Sequence, residues 1–354
     1  ADGASIAPFV RDLVTAYVAR SGGAAPAWEP LAVQYADYAL WQRAVLGDES
    51  DPASPAAREI EFWRGALADL PDRLDLPTDR PRPVEASGRG ATVDFEVDAA
   101  LHEAVEAAAQ ATGTSAFMVV HAALAVLLSR LSGTADIAIG TPVAGRGERA
   151  LDDLVGMFVN TLVLRTRVEP DATFAELLGR VRDVDLAAFD NAELPFERLV
   201  EVLDPVRSAG HHPLFQVALF FQNLDRAEVT LPDVEIESVD LGGAVAKFDL
   251  QLTVSPREEA GKPAGMSAQF TYATDLFDES TVQGFAGRLI RLLAALAAGT
   301  DRVVGDLDLL DTAEHRALAA GNDRAVHPVR AAGLLDAYRD AVANRPDAVA
   351  VVFG

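Results

Sequence analysis

The chain has 354 residues, half of them hydrophobic, with no cysteine and a formal charge of −24 from 30 Lys and Arg against 54 Asp and Glu. That balance repels phosphate backbones and anionic membrane surfaces, and the absence of cysteine excludes disulfides, thiolate metal sites and cysteine nucleophiles. The length favours two compact regions, the longest apolar runs fall short of the roughly 20 residues that span a bilayer, and a cytoplasmic protein without nucleic-acid or membrane partners is expected.

Residues 1–20 read as a turn at Asp2–Gly3 entering a helix, with Ile6, Val10, Leu13, Val14 and Tyr17 on one apolar stripe. A second helix carries Tyr35, Tyr38, Trp41 and Val45, and a third, over 55–67, carries Ile60, Phe62, Trp63 and Leu67. Aromatic residues at helical spacing are expected in a core. Residues 70–90, LPDRLDLPTDRPRPVEASGRG, hold four prolines and four arginines and read as a linker or long crossover between two lobes. Strands and helices then alternate. Val93, Phe95 and Val97 form a strand; Asp98 caps a helix ending at Gly113; a buried helix covers 116–130; a short strand covers 136–139.

GTPVAGR (140–146) and GMFVNTLVLR (156–165) follow, the second opening a strand with the polar pair Asn160–Thr161. Such a pair in an apolar strand is costly unless hydrogen-bonded or functional, and capping is its commonest role. Thr173 and Glu176 predict a capping box for a helix through Phe189, and Pro195 opens another over 196–203. Phe215, Val217, Leu219 and Phe221 form a strand, and residues 248–254 and 266–272 form a hairpin. A last helix covers 282–298, giving an α/β layered fold.

Spacing alone yields no self-evident catalytic group. His211 and His212 are adjacent and read as turn or surface residues, His121 as a core or interface histidine, and His102, His315 and His327 lack the company of a triad. No nucleophile elbow, zinc-protease helix, phosphate-binding loop or dinucleotide fingerprint occurs.

YADYALWQR (35–43), LPTDRPRP (76–83), GTPVAGR, VGMFVNTLVLRT (155–166), ELPFERLV (193–200) and HPLFQVALFFQN (212–223) stand in one order. Together they resemble the condensation domain of nonribosomal peptide synthetases, and the initial ADG resembles the end of that family's HHxxxDG motif, whose histidines are expected just upstream. Residues 334–354 resemble the opening of an adenylation domain.

The resemblance implies a two-lobed, chloramphenicol-acetyltransferase-like α/β fold with its N-terminal lobe incomplete: residues 1–75 from the N-terminal lobe, 76–310 as the C-terminal lobe, 311–332 as interdomain linker, and 333–354 as the start of an adenylation domain. It implies a tunnel between the lobes, reached by donor and acceptor carrier domains on 4'-phosphopantetheine arms. There the acceptor amine attacks the donor thioester and forms a peptide bond, with no cofactor or metal bound directly. Carried over by position, Asp2, Gly3 and Asn223 are the catalytic-motif candidates, with Asp2 more an ion-pair member than a base and Arg146 its expected partner. Asn160 and Thr161 stand near the site. Residues 191–192 and 208–211 depart from the family pattern. An epimerisation or heterocyclisation domain of the same fold, or a non-catalytic carrier-docking module, is the alternative, and a chain beginning at Ala1 is expected to form no peptide bond by itself.

Overall fold

The computed structural model describes residues 1–222, 244–324, 333–349 and 351. Asn223 lies outside the described residues.

The chain divides into two compact units, Ala1–Leu309 and Leu310–Gly354. In the first, a 3-10 turn at Gly3–Ser5 leads into α1 (Ile6–Ser21), followed by α2 (Tyr35–Leu46) and α3 (Pro55–Ala66). Then come β1 (Gly90–Val97), α4 (Ala99–Thr112), α5 (Ala116–Ser132), β2 (Asp136–Val143), β3 (Asn160–Arg167), α6 (Phe174–Phe189) and α7 (Phe196–Leu203). The unit ends with β4 (Val217–Phe221), β5 (Leu250–Glu259), β6 (Lys262–Ala273) and α8 (Glu279–Ala297). The second unit contains α9 (Thr312–Arg324) and α10 (Leu334–Asn344), so much of the expected linker is helical.

Local chemistry sets the helix ends. Asp98 accepts from the Leu101 amide to start α4, and Gly113, at φ 64°, ends it in the left-handed conformation. Ser115 and Gly133 bracket α5 in the same way, and Thr173 with Glu176 forms the expected capping box of α6.

The six strands form one mixed sheet in the order β1-β6-β5-β4-β2-β3, with β2–β4 and β4–β5 parallel and the other pairs antiparallel. The continuous burial of α5 from Met118 to Leu128 makes that helix the centre of the main core, packed with α4, α6 and α8. Leu162, Val163 and Leu164 are all buried, so β3 is covered on both faces and its apolar residues do not alternate in and out.

One expectation takes a definite form and one needs correction. The proline-rich segment 70–90 runs within the unit Ala1–Leu309. It is a strap: Asp79 accepts from the Asp278 amide (2.7 Å) and the Thr281 hydroxyl (2.9 Å), Arg80 pairs with Asp278, and the half-buried Arg82 pairs with the buried Asp249 and donates to the Gly210 carbonyl. The stripes of α1 and α2 are not core. Ile6, Phe9, Leu13 and Tyr17 are exposed, as are Tyr35, Trp41 and Val45, while Pro8 and Tyr38 are the buried residues of those helices. Periodicity shows that a helix has an apolar face; it does not show that something within the same chain covers it.

Candidate functional site

The ends of β2 and β3 that carry GTPVAGR and Asn160 lie side by side, since Val143 pairs with Asn160 and Pro142 with Thr161. The chain between them returns close to itself. A Cβ on Gly145 would stand 2.1 Å from the Phe158 carbonyl oxygen, so only glycine allows this approach.

Into this corner comes the turn at Asp2. Its side chain is 2% exposed and that of Arg146 is 7% exposed. Asp2 Oδ1 accepts from Arg146 Nη2 (3.1 Å), the Ser5 amide (2.9 Å) and the Ser5 hydroxyl (2.7 Å), and Oδ2 accepts from the Phe158 amide (3.0 Å). The Asp2 amide donates to the Gly156 carbonyl at 2.9 Å. Arg146 also donates to the Leu151 carbonyl, and its guanidinium carbon stands 4.1 Å over the centre of the Phe158 ring, a cation–π contact. The corner therefore joins residue 2 to residues 146–158 through an ion pair and main-chain hydrogen bonds.

Burial alone would raise the Asp2 pKa, but the hydrogen bonds from Ser5, the Phe158 amide and Arg146 outweigh it and hold the carboxyl below its ordinary value. A carboxylate so held is a weak proton acceptor near neutral pH and a good anchor. Gly3 follows it without steric need, since a Cβ there would meet no atom within 4 Å.

The motif YADYALWQR supplies the second wall. Tyr35 donates to the Met157 carbonyl (2.7 Å), its ring packs edge-on to Phe158, and the Tyr38 ring lies 4.7 Å from that of Phe158. Tyr38, Leu151, Leu154 and Phe158 form a small core of their own. Gly156 completes the fit, because a Cβ there would reach within 2.3 Å of the Tyr35 ring.

Asn160 uses all its hydrogen-bonding capacity on main chain. Nδ2 donates to the Ala192 and Leu194 carbonyls, each at 2.8 Å, while Oδ1 accepts from the Thr161 (2.8 Å) and Phe196 (2.9 Å) amides. Glu59 accepts from the Leu194 amide (2.9 Å), and Trp63 Nε1 donates to the Asn191 carbonyl (2.9 Å). The ELPFERLV segment is thus tied to α3 and β3. Because these bonds reach the carbonyls of 191 and 192, the unusual side chains there leave them intact. Burial raises the Glu59 carboxyl above its ordinary pKa.

The condensation-domain family model matches residues 1–319, the region that contains the whole corner. The chain belongs to the condensation-domain family. A dimodular nonribosomal peptide synthase of Bacillus subtilis (strain 168) is 49% identical over 353 residues, which is 99% of this chain and 15% of that protein. The X-domain from teicoplanin biosynthesis is 35% identical with a TM-score of 0.83, over 88% of this chain and 70% of that one. A complex of the X-domain and OxyB from the same biosynthesis gives 36% identity and a TM-score of 0.80, over 88% of this chain and 68% of that one. The present condensation domain thus spans 15% of the synthase it resembles.

The structure brings Asp2, Gly3, Arg146, Asn160 and Thr161 of this condensation domain to the two strand ends. A cavity of about 290 Å³ lies beside Arg82, His211 and Lys247, one of about 370 Å³ beside Arg64 and Asp204, and one of about 300 Å³ beside Trp63 and Arg165. Asp2, Arg146 and Asn160 line none of these, because their polar atoms are turned into the protein. Together these residues form a hydrogen-bonded joint.

The histidines lie elsewhere. His121 is fully buried with Nδ1 3.0 Å from Asp185, and His102 stands 3.7 Å from Glu106. His212 is half-buried: it packs among Phe196, Phe215 and Phe248, and burial lowers its pKa. Sequence reasoning missed Ser5, Tyr35, Glu59 and Trp63 as parts of the site's support. The signal for Tyr35 was its place within the motif YADYALWQR, and Ser5 lies two residues beyond the ADG turn.

Proposed function

We propose that this condensation domain serves amide formation between two acyl thioesters tethered to carrier domains, the acyltransferase-type step of nonribosomal peptide synthesis. Support comes above all from one coincidence: the family match over residues 1–319 contains a buried ion pair that fastens the DG turn to the end of GTPVAGR and the start of the GMFVNT segment. In the reaction the acceptor amine attacks the donor thioester carbonyl. A C–N bond forms, the C–S bond breaks, and the amine's proton leaves as the thiolate departs. Alignment of two tethered reactants supplies much of the rate, since effective molarities reach about 10⁵–10⁸ M in well-oriented cases.

On this reading the corner holds and orients. Asp2 is committed to four donors and Arg146 to Asp2 and main-chain oxygens, so neither is placed to carry the proton. Among the described residues no histidine touches the corner, and the 354-residue chain is expected to bind loaded carriers without forming the amide. The partners are a donor and an acceptor carrier bearing 4'-phosphopantetheine in the cytoplasm, with residues 311–332 as interdomain linker and 333–354 opening an adjoining adenylation domain. Residues 1–75 and 76–310 are assigned to the two lobes of the condensation fold. The test mixes the chain with carriers loaded with aminoacyl thioesters and follows complex formation and dipeptidyl product by mass spectrometry. Complex without product is expected. Product formed by this chain overturns the division of labour, and loss of preference for loaded over unloaded carriers overturns the thioester reading.

The similarity to the X-domain, including the complex with OxyB, favours a second reading in which this fold is a non-catalytic docking module. That reading predicts carrier binding indifferent to what the phosphopantetheine arm holds.

A further inference from the structure

Ser5 stands at the centre of the corner with more neighbours than a hydroxyl can serve independently. Its Oγ is 3.0 Å from Arg146 Nη2, 3.1 Å from the Gly156 amide, 2.7 Å from Asp2 Oδ1 and 2.9 Å from the Gly156 carbonyl. A serine hydroxyl has two acceptor lone pairs and one proton. The guanidinium and the amide are donors only, so they occupy the lone pairs, and the proton goes to one of the two oxygens. The Gly156 carbonyl already accepts from the Asp2 amide, whereas Asp2 Oδ1 is shorter and ionised, and bonds to charged acceptors are roughly twice as strong as neutral ones. The hydroxyl therefore has one favoured orientation: lone pairs to Arg146 and Gly156, proton to Asp2. The residue is buried, so water does not offer an alternative partner.

We propose that Ser5 is a positioning residue of the condensation site, acting through Asp2 and Arg146: its single hydroxyl fixes the carboxylate, the guanidinium and the Gly156–Phe158 segment in one mutual geometry. Asp2 and Arg146 meet each other through one oxygen and one nitrogen, while Nη1 of the same guanidinium donates to the Leu151 carbonyl and its central carbon lies over the Phe158 ring. The second bond from the same Nη2 to Ser5 ties that anchored guanidinium, through one hydroxyl, to both the carboxylate and the Gly156 amide. Tyr35 grips the same segment at the Met157 carbonyl, so the two sides of the loop are held independently. The inference rests on the proposed function only for the word condensation; the hold of Ser5 on the corner is measurable whether or not the carriers react.

The experiment is an NMR titration of the Asp2 side-chain carboxyl carbon in the full 354-residue chain, with amide exchange read at Gly156 and Phe158. In Ser5→Ala the Asp2 midpoint is expected to rise by about one pH unit, and the Gly156 amide to exchange about tenfold faster. Ser5→Thr, which keeps the hydroxyl, is expected to restore most of both. Ser54→Ala removes another serine side chain, the cap that accepts from the Ala57 amide at the start of α3, and is expected to move neither. An Asp2 midpoint and Gly156 exchange rate in Ser5→Ala equal to wild type overturn the proposal. Equal shifts in Ser54→Ala, which would mark general loosening, overturn it too. Should Ser5→Ala fail to fold, the wild-type chain decides: protection of the Gly156 amide, its exchange taken relative to the intrinsic rate at each pH, is expected to fall as Asp2 is protonated, and indifference of that protection to the titration contradicts the assigned network. Failure of carrier binding with these results intact would sink the thioester reading alone.

Discussion

The corner around Asp2 and the layer around α5 are two ways of holding a chain in place. Around α5, Val119 to Leu128 are buried against α4, α6 and α8, and the backbone of that region is regular, so its amides and carbonyls satisfy one another. Around Asp2 the backbone of residues 144–159 belongs to no long element, and its polar groups are satisfied one at a time by Asp2, Ser5, Tyr35 and Arg146. The first region tolerates loss of any single contact because apolar packing is spread over many atoms. The second concentrates its stability in a few charged and hydroxyl groups, which is how an irregular loop is held in one shape beside the Asp2–Gly3 turn.

The largest test of that contrast is Arg146→Ala. It leaves the Asp2 carboxylate buried without its cation, and a loss of about 3–5 kcal/mol is expected in urea unfolding. Leu124→Ala in α5 removes as much core as one residue can, with a loss of about 3 kcal/mol. The difference in kind shows in pH: lowering the pH through the Asp2 titration reduces the effect of Arg146→Ala and leaves that of Leu124→Ala unchanged. Equal pH dependence in the two variants would erase the contrast.

A smaller effect sharpens it. The folded-state pKa of Asp2 is depressed, so its contribution to stability is fully present above the ordinary aspartate pKa and is lost as the pH falls through the folded value. Stability below about pH 4 is therefore expected to decline less steeply in Asp2→Asn than in wild type, as measured by thermal unfolding across that range. Glu59 works in the opposite sense. Burial raises its pKa, so its contribution is present below the ordinary glutamate value and is lost as the pH rises through the folded one.

The smallest expected change belongs to the exposed face of α1. Leu13→Ala is expected to alter the stability of this chain by no more than about 0.5 kcal/mol. A loss above 2 kcal/mol would show that the stripe is covered in solution.

Much of the fold was legible in the sequence because it is written in short-range chemistry. Asp98, Thr173 with Glu176, Gly113 and the alternation in 93–97 and 266–272 each fix a local geometry, and each lies where the structure uses it. What periodicity left open was coverage. The stripe of α1 reads like the buried one of α5 until neighbours are known, and Val163 is buried because helices cover both faces of β3. Of the candidate site, the Asp2–Arg146 pairing was legible, since the resemblance named Arg146 as the expected partner of Asp2. The use of Asn160 as a four-bond staple, and of Ser5 and Tyr35 as grips on residues 156–158, was not, because main-chain partners leave no mark on composition. His121 and Asp185 show the same limit: 64 residues separate them, and only packing brings them together.

The central claim is that tethered acyl thioesters are presented to the corner formed by Asp2, Arg146 and the loop before Asn160. Its most direct test is the ¹H–¹⁵N and methyl spectrum of the 354-residue chain with a carrier domain bearing a non-hydrolysable aminoacyl phosphopantetheine amide. The account predicts loading-dependent shifts centred on Gly3, Arg146 and Met157, absent with the unloaded carrier. Shifts confined to the cavity beside Arg82, His211 and Lys247, or shifts identical for loaded and unloaded carrier, would contradict it.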